Sequence, residues 1–350
     1  VSSSRRRRAL VAALLAPVLA LTAACGSGDT ASAGDKPTLK FAYFKGAVAG
    51  PESVIAANPE LAAKLPVTLK LVPIDSGVAG ITQLKGGAFP GISGVGNPPA
   101  VAGIGNGTTI DVVFVESLDS AGLVVDDTIK SDADFEGQKI GALIGSTLDF
   151  ELRGWLKTKG LTDKVEVVGF QSEAAIAAAY KSGRVHAAYV SQGHLLDLKK
   201  HGGRVVVTAA EIAKLGYAAL GLLVVEHSYS QQHPEVVQAL VCQVKAAQNH
   251  LTGPDAAKYI TPAAGILGVK PADAIAGTKG YPYVPDSEQL GWFKGPDGTV
   301  ESGRLVENFT LTAEFLVTQD RLKAVPAKAD LAARIDPTYV EKAFQPNGCP

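Results

Sequence analysis

The chain has 350 residues, enough for one large domain or two of moderate size. Hydrophobic residues make up 46% and charged ones 19%, which supplies a sizeable core and excludes disorder for most of the length. The formal net charge is −1 and no basic stretch follows the first few residues, which argues against a nucleic-acid partner. There is no methionine; a GTG start written as Val1 accounts for this, and the chain is read as an unprocessed precursor.

In chain order, the first element is an address. Arg5 to Arg8 form a positive segment ahead of the apolar run Ala9 to Leu21. At 13 residues that run is too short to span a bilayer core, which needs roughly 20, and it fits the apolar region of a signal peptide. It ends in Leu21-Thr22-Ala23-Ala24-Cys25, which resembles a bacterial lipobox. Such signals imply cleavage before Cys25 and a diacylglycerol on its thiol; the competing reading is a plain secretory signal with an incidental cysteine. The paired arginines are also compatible with Tat export. Residues 1–24 are therefore expected to be the signal peptide and residues 25–37 a flexible tether. Removing residues 1–24, with four arginines and no acids, leaves 29 basic against 34 acidic residues, a net charge of −5. The expected product is an acidic, extracytoplasmic, lipid-anchored globule.

From Leu39 the pattern alternates short apolar runs with helical periodicity. Leu39–Phe44, Val67–Val72, Ile110–Val115, Lys139–Ile144, Val165–Val168, Ala187–Val190 and Arg204–Val207 read as strands. Val78–Leu84, Leu148–Lys159, Glu173–Lys181 and Leu195–Lys200 read as helices between them. This alternation predicts an α/β fold with largely parallel sheets. After Tyr229 the strands stop, and 234–252, 254–268, 271–279, 300–324 and 337–344 read as helices. Two stretches, Glu116–Asp126 and Gly216–Glu226, each couple small residues to an apolar strand and bracket a block of αβ pattern. The expected topology is a two-lobed clamp with two crossing hinge strands. Lobe I takes 38–120 and 223–350, and lobe II takes 121–222.

Cys242 and Cys349 remain in an oxidising compartment. On the predicted 234–252 helix, Cys242 falls on the polar stripe with Gln238, Lys245 and Asn249, away from the apolar face of Val237, Leu240, Val241, Val244 and Leu251. A cysteine there is no core filler, so a disulfide between Cys242 and Cys349 is expected, with two free thiols as the alternative.

Six short stretches together resemble a known family: Asp75-Ser76-Gly77, Gly137-Gln138-Lys139-Ile140, Gly145-Ser146-Thr147, Ala177-Ala178-Ala179-Tyr180-Lys181-Ser182-Gly183, His186-Ala187-Ala188-Tyr189-Val190 and His233-Pro234-Glu235-Val236-Val237. Their order and spacing, behind the lipobox, resemble the solute-binding lipoproteins of ABC importers of the nitrate/sulfonate/taurine type, closest to taurine-binding proteins. The resemblance implies a periplasmic-binding-protein-like fold and a receptor for a small organic anion. It further implies an ABC permease with its ATPase subunit as partners, a lipid-tethered monomer, and no cofactor or metal.

Candidate ligand contacts sit at strand-to-helix joints, where unpaired N–H groups and a partial positive charge favour anions. Ser146 and Thr147 follow Gly145 at the start of the 148–159 helix; capping alone is the competing reading, and the resembled family uses this joint for sulfonate. Asn97 stands at a second joint before Pro98, where the family often carries Ser. Ser76 marks a third, and Lys45 could supply a mobile charge. Two departures from the taurine pattern stand out: Ser191, beside Gln192, takes the place of a Trp, and Gly221 that of an Asp suited to an ammonium. Both enlarge the pocket, and the second removes a partner for a cation, so a solute different from taurine is expected, another sulfonate, a small organic anion or a heterocycle, reaching toward Ser191 and Gln192.

No other chemistry is well supported. The six histidines show no metal-ligand spacing, and neither GxSxG nor a P-loop occurs. Tyr281-Pro282-Tyr283 reads as a turn with packed rings rather than as iron ligands. The expected function is thus non-enzymatic solute capture. The alternatives are an enzyme on the same fold, of the pyrimidine-precursor synthase or lyase type, and a sensory receptor.

Overall fold

The computed structural model describes residues 36–349. The expected signal peptide, Cys25 and the expected tether up to Asp35 lie outside the described residues. Among the described residues no helix is long and apolar enough to cross a membrane.

Among the described residues ten strands form two five-stranded mixed sheets. The first contains β1 (Thr38–Phe44), β2 (Thr68–Ile74), β3 (Gly91–Gly96) and β4 (Ile110–Leu118). The second contains β5 (Ala121–Val125), β6 (Lys139–Leu143), β7 (Glu166–Phe170), β8 (Ala187–Ser191) and β9 (Arg204–Thr208). The chain then returns to the first sheet as β10 (Leu220–Glu226). The spatial orders are β2-β1-β3-β10-β4 and β7-β6-β8-β5-β9. Each sheet has four strands running in one direction and one strand, β10 or β5, inserted antiparallel to both neighbours. Those inserted strands follow the two crossings between the lobes. Both are almost wholly apolar, as strands covered on both faces must be.

The first crossing is two residues long, Asp119 and Ser120, and the second runs from Thr208 to Leu220. The two are tied together where the Asp119 N–H donates to the Ala219 carbonyl at 3.0 Å. Leu220, Gly221 and Leu222 pair with β4, so the chain re-enters the first sheet three residues before the boundary expected at 223. The physical reason is that the Leu220–Val225 run buries as one continuous strand between β3 and β4.

Strand β3 was not among the expected strands, because Gly-Ile-Ser-Gly-Val-Gly has neither alternation nor β-branched density. Its neighbours impose it: β1 and β10 pair on its two sides. Strand β4 also runs three residues beyond the expected Val115, carrying Glu116 and Ser117 into the buried interior.

The helices after β10 pack mainly on the first lobe. The Arg304–Thr318 helix lies on the Asn97–Gly105 helix and also reaches the second lobe, where Phe315 meets Phe150 edge-on at 5.6 Å. The Pro234–Thr252 helix buries Cys242, which is 2% exposed although it lies on a polar stripe. The Thr338–Ala343 helix covers that stripe: Gln238 Nε2 donates to the Tyr339 carbonyl at 3.2 Å and Lys245 Nζ to the Ala343 carbonyl at 3.1 Å. Cys242 and Cys349 are disulfide-bonded, with Cα atoms 5.4 Å apart.

Candidate functional site

A cleft of about 740 Å³ lies between the lobes. Its first-lobe wall comes from the ends of β1, β3 and β4 and the segments that follow them, and its second-lobe wall from Leu143–Thr147 at the end of β6. This is the placement that α/β sheets favour, beyond the carboxyl ends of parallel strands. The volume falls in the usual range for small-molecule sites.

Of the residues picked from sequence, Lys45, Ser76, Ser146 and Thr147 line the cleft, as does Gly221. Ser76 caps the Gly77–Lys85 helix by accepting the Ala79 N–H at 3.2 Å. Ser146 accepts the Asp149 N–H at 3.3 Å and donates to the Leu143 carbonyl at 2.7 Å, so its hydroxyl is committed to shaping the joint. Asp149 takes the Gly145 N–H at 2.8 Å and the Arg153 guanidinium at 2.8 Å, so a carboxylate already occupies part of this helix start. Thr147 Oγ1 donates to Asp119 Oδ2 at 3.2 Å, which joins the second-lobe wall to the hinge. Its methyl group approaches Gly96 so closely that a Cβ there would sit 2.8 Å from Thr147 Cγ2.

Three candidates do not line the cleft. Asn97 is fully buried and makes no cap bond with its side chain. It accepts the Leu220 N–H at 3.1 Å and donates to Thr312 at 2.9 Å and Asn308 at 3.0 Å, tying β10 to the Arg304–Thr318 helix. Ser191 donates through its N–H and hydroxyl to Glu173, at 2.6 and 2.7 Å. Gln192 is held by the hinge residue Ser120, its N–H donating to the Ser120 carbonyl at 2.7 Å and its Oε1 accepting the Ser120 hydroxyl. Their polar atoms face neighbouring elements, which local sequence could not reveal.

Asn97→Ala should therefore act on stability before affinity. It leaves buried groups such as the Leu220 N–H unpaired, at about 1–3 kcal/mol for each. Urea unfolding should show that loss; a large loss of solute affinity with an unchanged unfolding midpoint would restore Asn97 as a ligand contact.

The sequence reading missed most of the floor. Glu52, Ser93, Glu116, Tyr281 and Tyr283 line it, with Arg321 at the rim. Two irregularities in the strands that flank β10 aim the polar ones. Ser93 and Gly94 together face Leu223 of β10, a bulge that puts Gly94 at φ 75°, a conformation glycine adopts without strain. Glu116 is the extra residue between the pairs Val115–Leu222 and Ser117–Gly221. Ser93 Oγ lies 2.7 Å from Glu52 Oε2 and 2.7 Å from Glu116 Oε1. Burial, the neighbouring Glu52 charge and only partial relief from Ser93 and the Gly94 N–H push the Glu116 carboxyl up to about 8. Burial also raises Glu52, against Ser93 and the first N–H groups of its own helix. Asp119 is raised by burial, opposed by the Ser120 N–H and Thr147.

The 281–284 segment runs beside β4, with Ser117 bridging Tyr283 and the Val284 N–H donating to the Glu116 carbonyl at 3.0 Å. The rings of Tyr281 and Tyr283 pack edge-on at 5.1 Å, as the turn reading has it, and they also wall the cleft. A glutamate directly after the apolar run Val112–Val115 was the signal in the sequence that pointed to Glu116. Arg321 reaches across the lobes, Nη1 donating to the Gly145 carbonyl at 2.9 Å. Nothing local marks it.

The model of the NMT1-like family matches residues 32–265. The taurine-binding periplasmic protein of Escherichia coli (strain K12) is 28% identical over 285 residues, covering 79% of this chain and 86% of that protein. Among solved structures, the periplasmic aliphatic sulphonate binding protein SsuA from Escherichia coli has a TM-score of 0.68 at 19% identity, with 88% of this chain and 100% of that one covered. A putative periplasmic sulfonate-binding protein from Methylobacillus flagellatus KT also scores 0.68, at 16% identity, with 89% and 94% covered. The two structures establish a shared two-lobed α/β fold. Together with the family match over most of the described chain, they lead to one conclusion: this chain belongs to the NMT1-like family.

Proposed function

We propose that this protein is an extracytoplasmic solute receptor of an ABC importer, closing on a small organic solute with an anionic, sulfonate-like group and delivering it to a membrane permease. The observation that carries this reading is the cleft itself, walled by both lobes and spanned by the Arg321 bond to Gly145. Lys45 and Arg321 supply positive charge to the cleft, where the anionic end belongs.

The mechanism needs no covalent step. Bonds such as Thr147 to Asp119 and Arg321 to Gly145 link the lobes, and solute contacts to both walls add to them. A solute that binds the closed arrangement better than the open one shifts the population towards closed, and the permease reads that shape. The two-residue link at Asp119 and Ser120 is short enough to serve as the hinge.

A thermal-shift screen of sulfonates, sulfate esters, nitrate-like anions and nitrogen heterocycles tests the reading. A solute at 100 times its dissociation constant should add about 2.7 kcal/mol of stability. Thr147→Val keeps the shape and removes the bond to Asp119 that links the lobes, and by loosening the closed arrangement it should weaken the best solute by roughly 0.5–3 kcal/mol. No stabilisation by any solute class would sink the receptor reading. Loss of solute uptake on deletion of the gene separates an importer from a sensor.

The tether belongs to the same proposal. With Cys25 lipidated, Cys25→Ala should release a folded protein from the membrane fraction. A variant that stays membrane-bound with its signal normally cleaved would remove the anchor from the reading.

A further inference from the structure

We propose that the protein carries a second binding site, separate from the cleft, which takes a small aromatic carboxylate between the lobes beside the second crossing.

The site is a pocket of about 340 Å³ assembled from three parts of the molecule. The second lobe contributes Arg153 and Lys157 from the Thr147–Thr158 helix, with Val165 and Val167 at β7. The first lobe contributes Leu311, Glu314 and Phe315 from the Arg304–Thr318 helix. Tyr217 comes from the crossing between them. None of these residues lines the cleft. The volume lies at the lower end for small-molecule sites and suits one or two fused rings.

The interior is apolar and aromatic. At its base Phe150 packs against Phe315 at 5.6 Å and Tyr217 at 5.7 Å, so rings from both lobes and the crossing meet there. Tyr217 lies so close over Gly154 that a Cβ there would sit 2.2 Å from Tyr217 Cγ, and the missing side chain lets the crossing pack on the helix. Val165, Val167 and Leu311 are only partly buried and leave apolar surface facing a concave space. Aromatic surroundings of this kind favour a ring, packed edge-on or offset.

The rim is charged. Arg153 Nε donates to Asp149 at 2.8 Å, and Asp149 is fully buried and outside the pocket. Among the described residues no protein acceptor takes the two Nη groups of Arg153. Lys157 Nζ meets Glu314 across the lobes at 3.4 Å, with both side chains largely exposed. Such a pair contributes little, so Lys157 is available to a second carboxylate. A guanidinium with its outer nitrogens unclaimed is the geometry that takes a carboxylate, and a nearby ammonium adds to it. A neutral ring would leave that group unused, and an aromatic amine would meet two cations. A ligand seated here touches both lobes and the crossing, so it favours the arrangement in which these walls stand together and acts on the clamp from outside the cleft.

The test titrates 2-naphthoate and its uncharged counterpart 2-naphthamide calorimetrically into the protein and maps the bound state by hydrogen exchange. The carboxylate should bind about tenfold tighter than the amide or more. It should slow exchange in peptides from both walls, 148–167 and 311–319. Arg153→Lys keeps a positive charge beside Asp149 but lacks the outer nitrogens, and it should cut the carboxylate preference severalfold. Leu311→Trp fills the pocket from the first lobe and should abolish binding of both probes. Equal binding of the two probes to the wild type, or no binding of either, overturns the proposal, as does an unchanged preference in Arg153→Lys. Slowed exchange on one wall alone, or confined to the cleft segments 44–52, 91–96 and 281–284, also overturns it. If Leu311→Trp fails to fold, the wild-type exchange map and Arg153→Lys still decide. The cleft's solute screen is independent of every one of these outcomes, so the receptor reading stands or falls separately.

Discussion

Replacing Cys242 and Cys349 together by alanine should lower the unfolding free energy by about 4–5 kcal/mol. The disulfide closes a loop with a sequence separation of 107, and the chain-entropy model gives about 4.7 kcal/mol for a loop near that length. The bond also holds the C-terminal segment on the Pro234–Thr252 helix, where Tyr339, Val340 and Ala343 are buried and the Lys245 ammonium lies 4.1 Å from the centre of the Phe344 ring. A loss of that size is a large share of the 5–15 kcal/mol that holds typical domains together. Urea unfolding of the double variant, and of the wild type with reductant, should show matching falls in midpoint. Unchanged midpoints, or free thiols in non-reduced peptides by mass spectrometry, would refute it.

Stability of the ligand-free protein should fall as pH rises from about 5 to 8. The Glu116 carboxyl is held at about 8 in the folded chain, chiefly by burial and then by Glu52, against an ordinary value of 4.5. In the window between those values the native state keeps a proton that the unfolded state has lost. The unfolding free energy therefore decreases with pH, by up to about 1.4 kcal/mol per pH unit for one group. The contribution is complete below the unfolded value and is lost as pH passes through the folded one. Glu52, Asp119 and Glu151 are shifted in the same direction, and His250, lowered by burial, acts in the opposite one. Carboxylates with lowered values, such as Asp126 with its Thr128 and His186 bonds, matter only in more acidic solution. Glu116→Gln keeps a permanent N–H donor for Ser93, so the difference between wild type and variant isolates this carboxyl. A wild-type profile that is flat or rising over the window, or a variant with the same slope, would contradict it.

Much of the architecture was legible in the sequence because it follows from periodicity. The alternating apolar runs placed most strands of both sheets, and the apolar stretches at Gly122–Val125 and Gly221–Val225 marked the two inserted strands. The apolar face of the Pro234–Thr252 helix placed Cys242 on the opposite stripe, while its burial under the C-terminal helix depends on contacts 100 residues away. The glycine-rich β3 escaped because only its neighbours make it a strand.

The site divided along the same line. Thr147 and Ser146 were visible because a Gly-Ser-Thr joint before an amphipathic helix is a local signal. The polarity of the floor was not, because Glu52, Ser93, Glu116 and Tyr281 come from four separate segments. Two bulges beside β10 decide that Ser93 and Glu116 share one small volume, and a bulge depends on the register between strands, which no single strand encodes. Asn97 illustrates the converse: its local context is that of a helix start, yet β10 and the Arg304–Thr318 helix close over it and take its side chain for the core. Local chemistry names the groups available, and only the packing of distant segments sets which of them meet and how dry they are.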